Sequence, residues 1–113
     1  MTTLLPKDAD NNIIPALRLR DNAAHALSVG ASSVRNSVAF DTDTKVVSLY
    51  ASVPVFIRFG DDTVDATTAD HYFPAGVYYD IALSGGAGKG PHNAYIAAIS
   101  AEEDGVLYIS EKE

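Results

Sequence analysis

Apolar residues in this chain recur with a period of two. Leu17 and Leu19 alternate with Arg18 and Arg20, and His25, Leu27 and Val29 alternate with small residues. Val77, Tyr79, Ile81 and Leu83 share one parity, as do Tyr95, Ala97 and Ile99. Side chains that alternate this way stand on opposite faces of a half-buried strand. The pattern predicts strands over 13–20, 24–30, 34–40, 45–52, 55–59, 77–83, 94–100 and 106–110, with a short polar edge strand over 64–70. The longest apolar run is Lys45 to Gly60, and Pro54 interrupts it. Proline cannot donate to a sheet ladder, so a kink at Val53–Pro54 is expected, where one strand leaves its sheet and enters the neighbouring one.

Turn chemistry separates these runs. Asp21–Asn22, Gly30 to Ser33, Asp41 to Thr44, Gly60 to Thr63, Pro74 to Gly76 and Ala101 to Gly105 all read as reversals. The closing Glu111-Lys112-Glu113 is expected to leave the last strand in solvent. No stretch holds a helical period. About seven to nine short strands at roughly ten-residue spacing predict an all-β fold, a small antiparallel β-sandwich or jelly-roll-like barrel. A chain of 113 residues suits one domain, over 13–113. The polar segment 1–12 reads as a flexible arm, either frayed or docked on a neighbouring subunit through Leu4 and Leu5.

Charge narrows the function classes. Fifteen acids against 8 bases give a net charge of −7. Arg18, Arg20, Arg35, Lys45 and Arg58 are scattered among apolar residues, so no basic footprint for nucleic acid is expected. With no cysteine there is neither a disulfide framework nor a thiolate metal site. No window approaches the roughly 20 apolar residues that cross a bilayer, and no basic segment leads an apolar one at the start. The expected product is soluble, unprocessed and cytoplasmic.

Candidate chemistry is sparse. The Gly85 to Gly90 segment, GGAGKG, lacks the first glycine and the hydroxyl residue of a phosphate loop, and no helix follows it. It reads as a surface loop that a partner or glycan can order. Asp41 and Asp43 resemble the start of a calcium loop, but Val46 and Ser52 stand where glycine and glutamate are needed. Asp61, Asp62 and Asp65 read as solvated turn acids rather than a cation site. His25, His71 and His92 share no metal-ligand spacing. No serine sits in a glycine elbow. Phe73-Pro74-Ala75-Gly76 resembles a turn of the cupins, without their clustered histidines and glutamate. No catalytic residue, metal or cofactor is therefore expected.

Five segments carry a wider resemblance: ALRLR at Ala16 to Arg20, VPVFIRFGD at Val53 to Asp61, FPAG at Phe73 to Gly76, YIAAIS at Tyr95 to Ser100, and DGVLYISEKE at Asp104 to Glu113. Together they resemble small structural proteins of tailed bacteriophages and prophages. That resemblance implies a non-enzymatic virion component, assembled in the host cytoplasm, that packs against copies of itself or other virion proteins. It could be a head-decoration, head–tail junction or tail-associated subunit. Candidate interface residues are Leu4, Leu5, Tyr72, Phe73, Tyr78, Lys89 and His92. Tyr78 and Tyr79 are strand neighbours and point oppositely, so one is expected in the core and Tyr78 in an interface. Two alternatives are a carbohydrate- or ligand-binding module using Tyr72, Tyr78 and the 84–93 loop, and a cupin-like enzyme with a metal on His71, His92 and aspartates.

Overall fold

The structure is a computed structural model and describes residues 6–12, 17–83 and 91–113. Among the described residues there are eight strands and no helix: β1 (Leu19–Val29), β2 (Val34–Arg35), β3 (Val46–Ala51), β4 (Val55–Gly60), β5 (His71–Phe73), β6 (Tyr78–Ala82), β7 (Tyr95–Ser100) and β8 (Gly105–Lys112). They form two four-stranded sheets, β1-β8-β3-β6 and β2-β7-β4-β5. The antiparallel pairs β1·β8, β2·β7, β3·β6 and β4·β5 are nested, as in one long hairpin folded across itself. The pairs β3·β8 and β4·β7 close each sheet. This nesting is the jelly-roll form of the β-sandwich.

The core lies between the sheets. Leu27, Val29, Val47, Leu49, Leu107 and Ile109 come from one sheet, and Val55, Ile57, Phe73, Ile96 and Ala98 from the other. Each is one parity of its strand, as the alternation predicts. Pro54 makes the expected corner: β3 belongs to the first sheet, β4 to the second. The Pro54 carbonyl accepts the Ala101 N–H at 2.9 Å, which ties the corner to the far end of β7. Gly105 is required where β8 begins, because a Cβ there would stand 2.5 Å from a Val53 methyl.

Four expectations are corrected. The predicted turn at Asp21–Asn22 is a bulge inside one strand. Arg18 and Glu113 exchange backbone hydrogen bonds of 3.0 and 2.9 Å, pairing resumes at Ala24↔Ser110, and Asn22 takes up the slack at φ 59°. The predicted strand over 34–40 stops at Arg35. Buried Asn36 replaces backbone pairing with its side chain, accepting from the Ile96 N–H and donating to the Val38 and Ala94 carbonyls at 2.8, 2.7 and 3.3 Å. The segment 64–70 is not a strand. It folds over the outer face of the second sheet, where Val64 and Ala66 cover Ala97. Arg35 holds this flap by donating to the Val64 carbonyl, and the Ser33 hydroxyl accepts the Ala66 N–H. Lastly, β8 continues to Lys112, and Glu111 is buried rather than solvated.

Within the arm, residues 8–12 close a tight turn. Asp8 accepts from the N–H groups of Asp10, Asn11 and Asn12, and Asn11 is left-handed at φ 65°. Leu4, Leu5 and Lys89 lie outside the described residues.

Candidate functional site

Strand alternation fixes what the outer face of the first sheet presents. Leu49 and Ala51 of β3 and Leu107 and Ile109 of β8 point inward, so Tyr50 and Tyr108 point out. The register pairs Tyr50 with both Tyr108 and Tyr78. Three tyrosines therefore stand in one row across β8, β3 and β6, at neighbouring-strand spacings of about 4.8 Å. Their exposures are 50%, 40% and 59% for Tyr108, Tyr50 and Tyr78, high for adjacent aromatic rings. The row continues onto β1 at Ala26, and Ala24 and Ser28 keep that end low.

The next row is polar and self-satisfied. Ser110, Ser48 and Asp80 lie side by side. Asp80 accepts from the Ser48 hydroxyl and from Lys112 Nζ at 3.0 and 3.2 Å. The Ser48 hydroxyl, then the Lys112 ammonium, hold the Asp80 carboxyl below the ordinary carboxylate range. Lys112 Nζ also sits 5.5 Å from the Tyr78 ring centroid, a cation–π contact. Asp80 and Lys112 are the charged pair of this face, and they neutralise each other. The result is an aromatic surface without net charge on a chain of net charge −7.

The sequence-derived interface residues scatter. Tyr78 is on this face. Phe73 is not available, because it is 6% exposed and part of the core. Tyr72 lies on the outer face of the other sheet, edge-on to Phe56 at 5.7 Å. Tyr72 and Tyr78 thus point away from each other and share no site. His92 is half-buried, and its ring N–H donates to the Thr44 carbonyl at 2.8 Å. The expectation that one of Tyr78 and Tyr79 lines the core fails, since Tyr79 is also 57% exposed. It has the inward parity, but β6 is an edge strand, and the edge strand β5 of the opposing sheet is too short to cover it.

A buried polar network escaped the sequence reading. Glu111 accepts from His25 Nε2 at 2.8 Å, from the Thr44 hydroxyl at 2.7 Å and from the Asp41 N–H at 2.9 Å. Arg20 pairs with Asp41 at 3.0 Å and Glu113 at 3.3 Å beside it. Burial pushes the Glu111 pKa up; the hydrogen bonds from His25, Thr44 and Asp41 outweigh it and leave the carboxyl below its ordinary value. Thr44 links two histidines through this network, its carbonyl to His92 and its hydroxyl to the acceptor of His25. The network stitches β1, β8 and the segment before β3 together, a structural task. One signal could have revealed it: Glu111 shares the parity of Leu107 and Ile109.

The turn acids are engaged locally. Asp61 accepts from the Thr63 hydroxyl and N–H, Asp70 from the Thr67 N–H, and Asp65 pairs with Arg35 at 3.4 Å. Among the described residues no three metal-ligating side chains cluster, and no helix is long and apolar enough to cross a membrane. No protein-family model, curated protein or solved structure matches the chain.

Proposed function

We propose that this chain is a non-enzymatic structural subunit, a jelly-roll brick that works by packing against other protein surfaces. The virion of a tailed phage is the setting its sequence resemblance implies. The observation that carries this reading is the row Tyr108–Tyr50–Tyr78 on a charge-neutral outer face. Exposed aromatic clusters are typical of the desolvated centre of protein interfaces, where charged residues are depleted. On an acidic chain, a neutral face is also the surface that can meet another copy with least repulsion.

The test compares the intact chain with the triple variant Tyr50→Ser/Tyr78→Ser/Tyr108→Ser by sedimentation. Assemblies larger than a dimer are expected for the intact chain, and their loss in the variant, with its fold retained by circular dichroism. Equal assembly by the two proteins would overturn the packing role of the face. Glycan-array binding that depends on the same tyrosines would replace this reading with the carbohydrate-binding one. Genes for capsid, portal or tail proteins are expected beside this one, and a purely metabolic neighbourhood would sink the virion setting.

A further inference from the structure

The two sheets have four edges, and three of them are guarded. β2 is two residues long and β5 is three, too short to template a strand. β6 carries Asp80 at its centre. β1 differs. It is the longest strand, and among the described residues it pairs on one side only, with β8. Its first part is blocked by the Asn22 bulge and by Arg20 and Asp21. From Ala24 to Val29 it is regular and holds no Lys, Arg, Asp, Glu or Pro. A groove of about 410 Å³ runs beside this stretch, lined by His25, Leu27, Val34, Asn36 and Val38 among others. Val38 in that groove is 67% exposed.

We infer that β1 pairs antiparallel with β1 of a second copy across a two-fold axis, joining two four-stranded sheets into one of eight. Three observations select a copy of this chain as occupant. An antiparallel strand edge is self-complementary, because a two-fold rotation sets each N–H against a C=O. The stretch holds no Lys, Arg, Asp or Glu on an acidic chain, and His25 within it is paired inward with Glu111 at 2.8 Å, so two copies meet there with little repulsion. The small outer residues Ala24, Ala26 and Ser28 abut the tyrosine row, so the joined sheet would carry that aromatic strip on from one subunit to the next. Keeping like faces together puts Ala26 opposite its own counterpart and Ala24 opposite Ser28. This deepens the structural-subunit reading by naming the first contact of the assembly.

The test is the mass of the full chain by light scattering, up to about 1 mM, against Ala26→Lys. Ala26 is exposed on the outer face, so the substitution leaves the core intact; an unchanged circular dichroism spectrum checks this. A dimer, or an assembly built from dimers, is expected for the intact chain. In the variant two lysines face each other, and dissociation should rise about tenfold or more. The chain has no cysteine, so single cysteines give a second readout. Ala26→Cys should form a disulfide-linked dimer quickly, and Ala82→Cys on the far edge strand slowly. A chain that stays monomeric, a dimer indifferent to Ala26→Lys, or equal cross-linking at 26 and 82 would overturn the inference. The tyrosine triple variant separates the two ideas. If it loses the dimer and Ala26→Lys keeps it, the edge pairing is wrong and the packing role of the tyrosine face stands.

Discussion

The outer faces of the two sheets have met opposite fates. On the β2-β7-β4-β5 sheet, the segment between β4 and β5 folds back, and Val64 and Ala66 seal Ala97 to 0% exposure. On the β1-β8-β3-β6 sheet, Tyr50, Tyr78 and Tyr108 remain open to solvent. Under the flap the covered face presents Ala97, flanked by Tyr95 and Ile99, whereas the centre of the open face presents a row of tyrosines. A small residue lets a loop lie close, and a row of rings holds one off. The chain therefore has the means to bury an outer face, and it applies them to one sheet only. That contrast, more than exposure alone, is why we propose the tyrosine face as a surface for a partner.

Breaking the cover should have the largest effect. Ala97→Arg forces a long charged side chain under Val64 and Ala66, and is expected to destabilise by about 3 kcal/mol through overpacking and loss of hydration. Ala26→Arg, on the open face, should stay within about 0.5 kcal/mol when measured at concentrations where the chain is monomeric. Urea unfolding of both variants checks this. Equal costs would mean that the flap is not packed, and the contrast between the faces would vanish.

The next effect compares two carboxylates of the open sheet, Glu111 on its inner face and Asp80 on its outer face. Both are held below their ordinary values, Glu111 by hydrogen bonds that overcome its burial and Asp80 by Ser48 and then Lys112. A depressed carboxyl contributes stability that is present above its unfolded pKa and is lost as pH falls through the folded one. Acid should therefore weaken the fold, with Glu111 the larger contributor, since Glu111 is itself buried and Asp80 is screened by solvent. Glu111→Gln should cost about 1–2 kcal/mol at neutral pH, because an amide cannot accept from His25, Thr44 and Asp41 together. It should also flatten the acid limb of the stability curve, and Asp80→Asn should barely change it. Thermal melts from neutral pH down to below the ordinary carboxylate range decide this. A steeper loss on Asp80→Asn would reverse the assignment.

How legible these features were depends on what kind of physics fixes them. Alternation in β3, β4, β7 and β8 is a local property of the backbone, so the strands and the sandwich follow from the sequence directly. The Pro54 corner is equally local. The Asp21–Asn22 pair was misread because an Asx pair suits a turn and a bulge alike, and pairing with β8 decides between them. The segment 64–70 was misread for a related reason: nothing in VDATTAD says whether Val64 and Ala66 face a sheet edge or lie on Ala97. Tyr78 was legible as an exposed residue. Tyr50 and Tyr108 were not, because each sits inside an apolar run, and only the parity of Leu49 and Leu107 turns them outward. The row itself depends on cross-strand register, which no single stretch encodes.

The smallest effect on stability is also the sharpest test of the comparison. Tyr72 and Tyr78 are both exposed, at 57% and 59%, and both lie on edge strands. Tyr72 leans on Phe56 of the flap-bearing sheet, and Tyr78 stands beside Tyr50 on the open one. Replacing Tyr72 by serine removes its edge-on contact with Phe56 and replacing Tyr78 removes its cation–π contact with Lys112, so each should cost only about 0.5 kcal/mol. Stability therefore cannot tell the two apart, but assembly can. Tyr78→Ser takes one end from the row and should weaken sedimentation-detected assembly, whereas Tyr72→Ser should leave it unchanged. The matched stability costs rule out partial unfolding as the cause of any difference. If Tyr72→Ser alone impaired assembly, the partner would sit on the other sheet, on the part of its outer face that the flap leaves open.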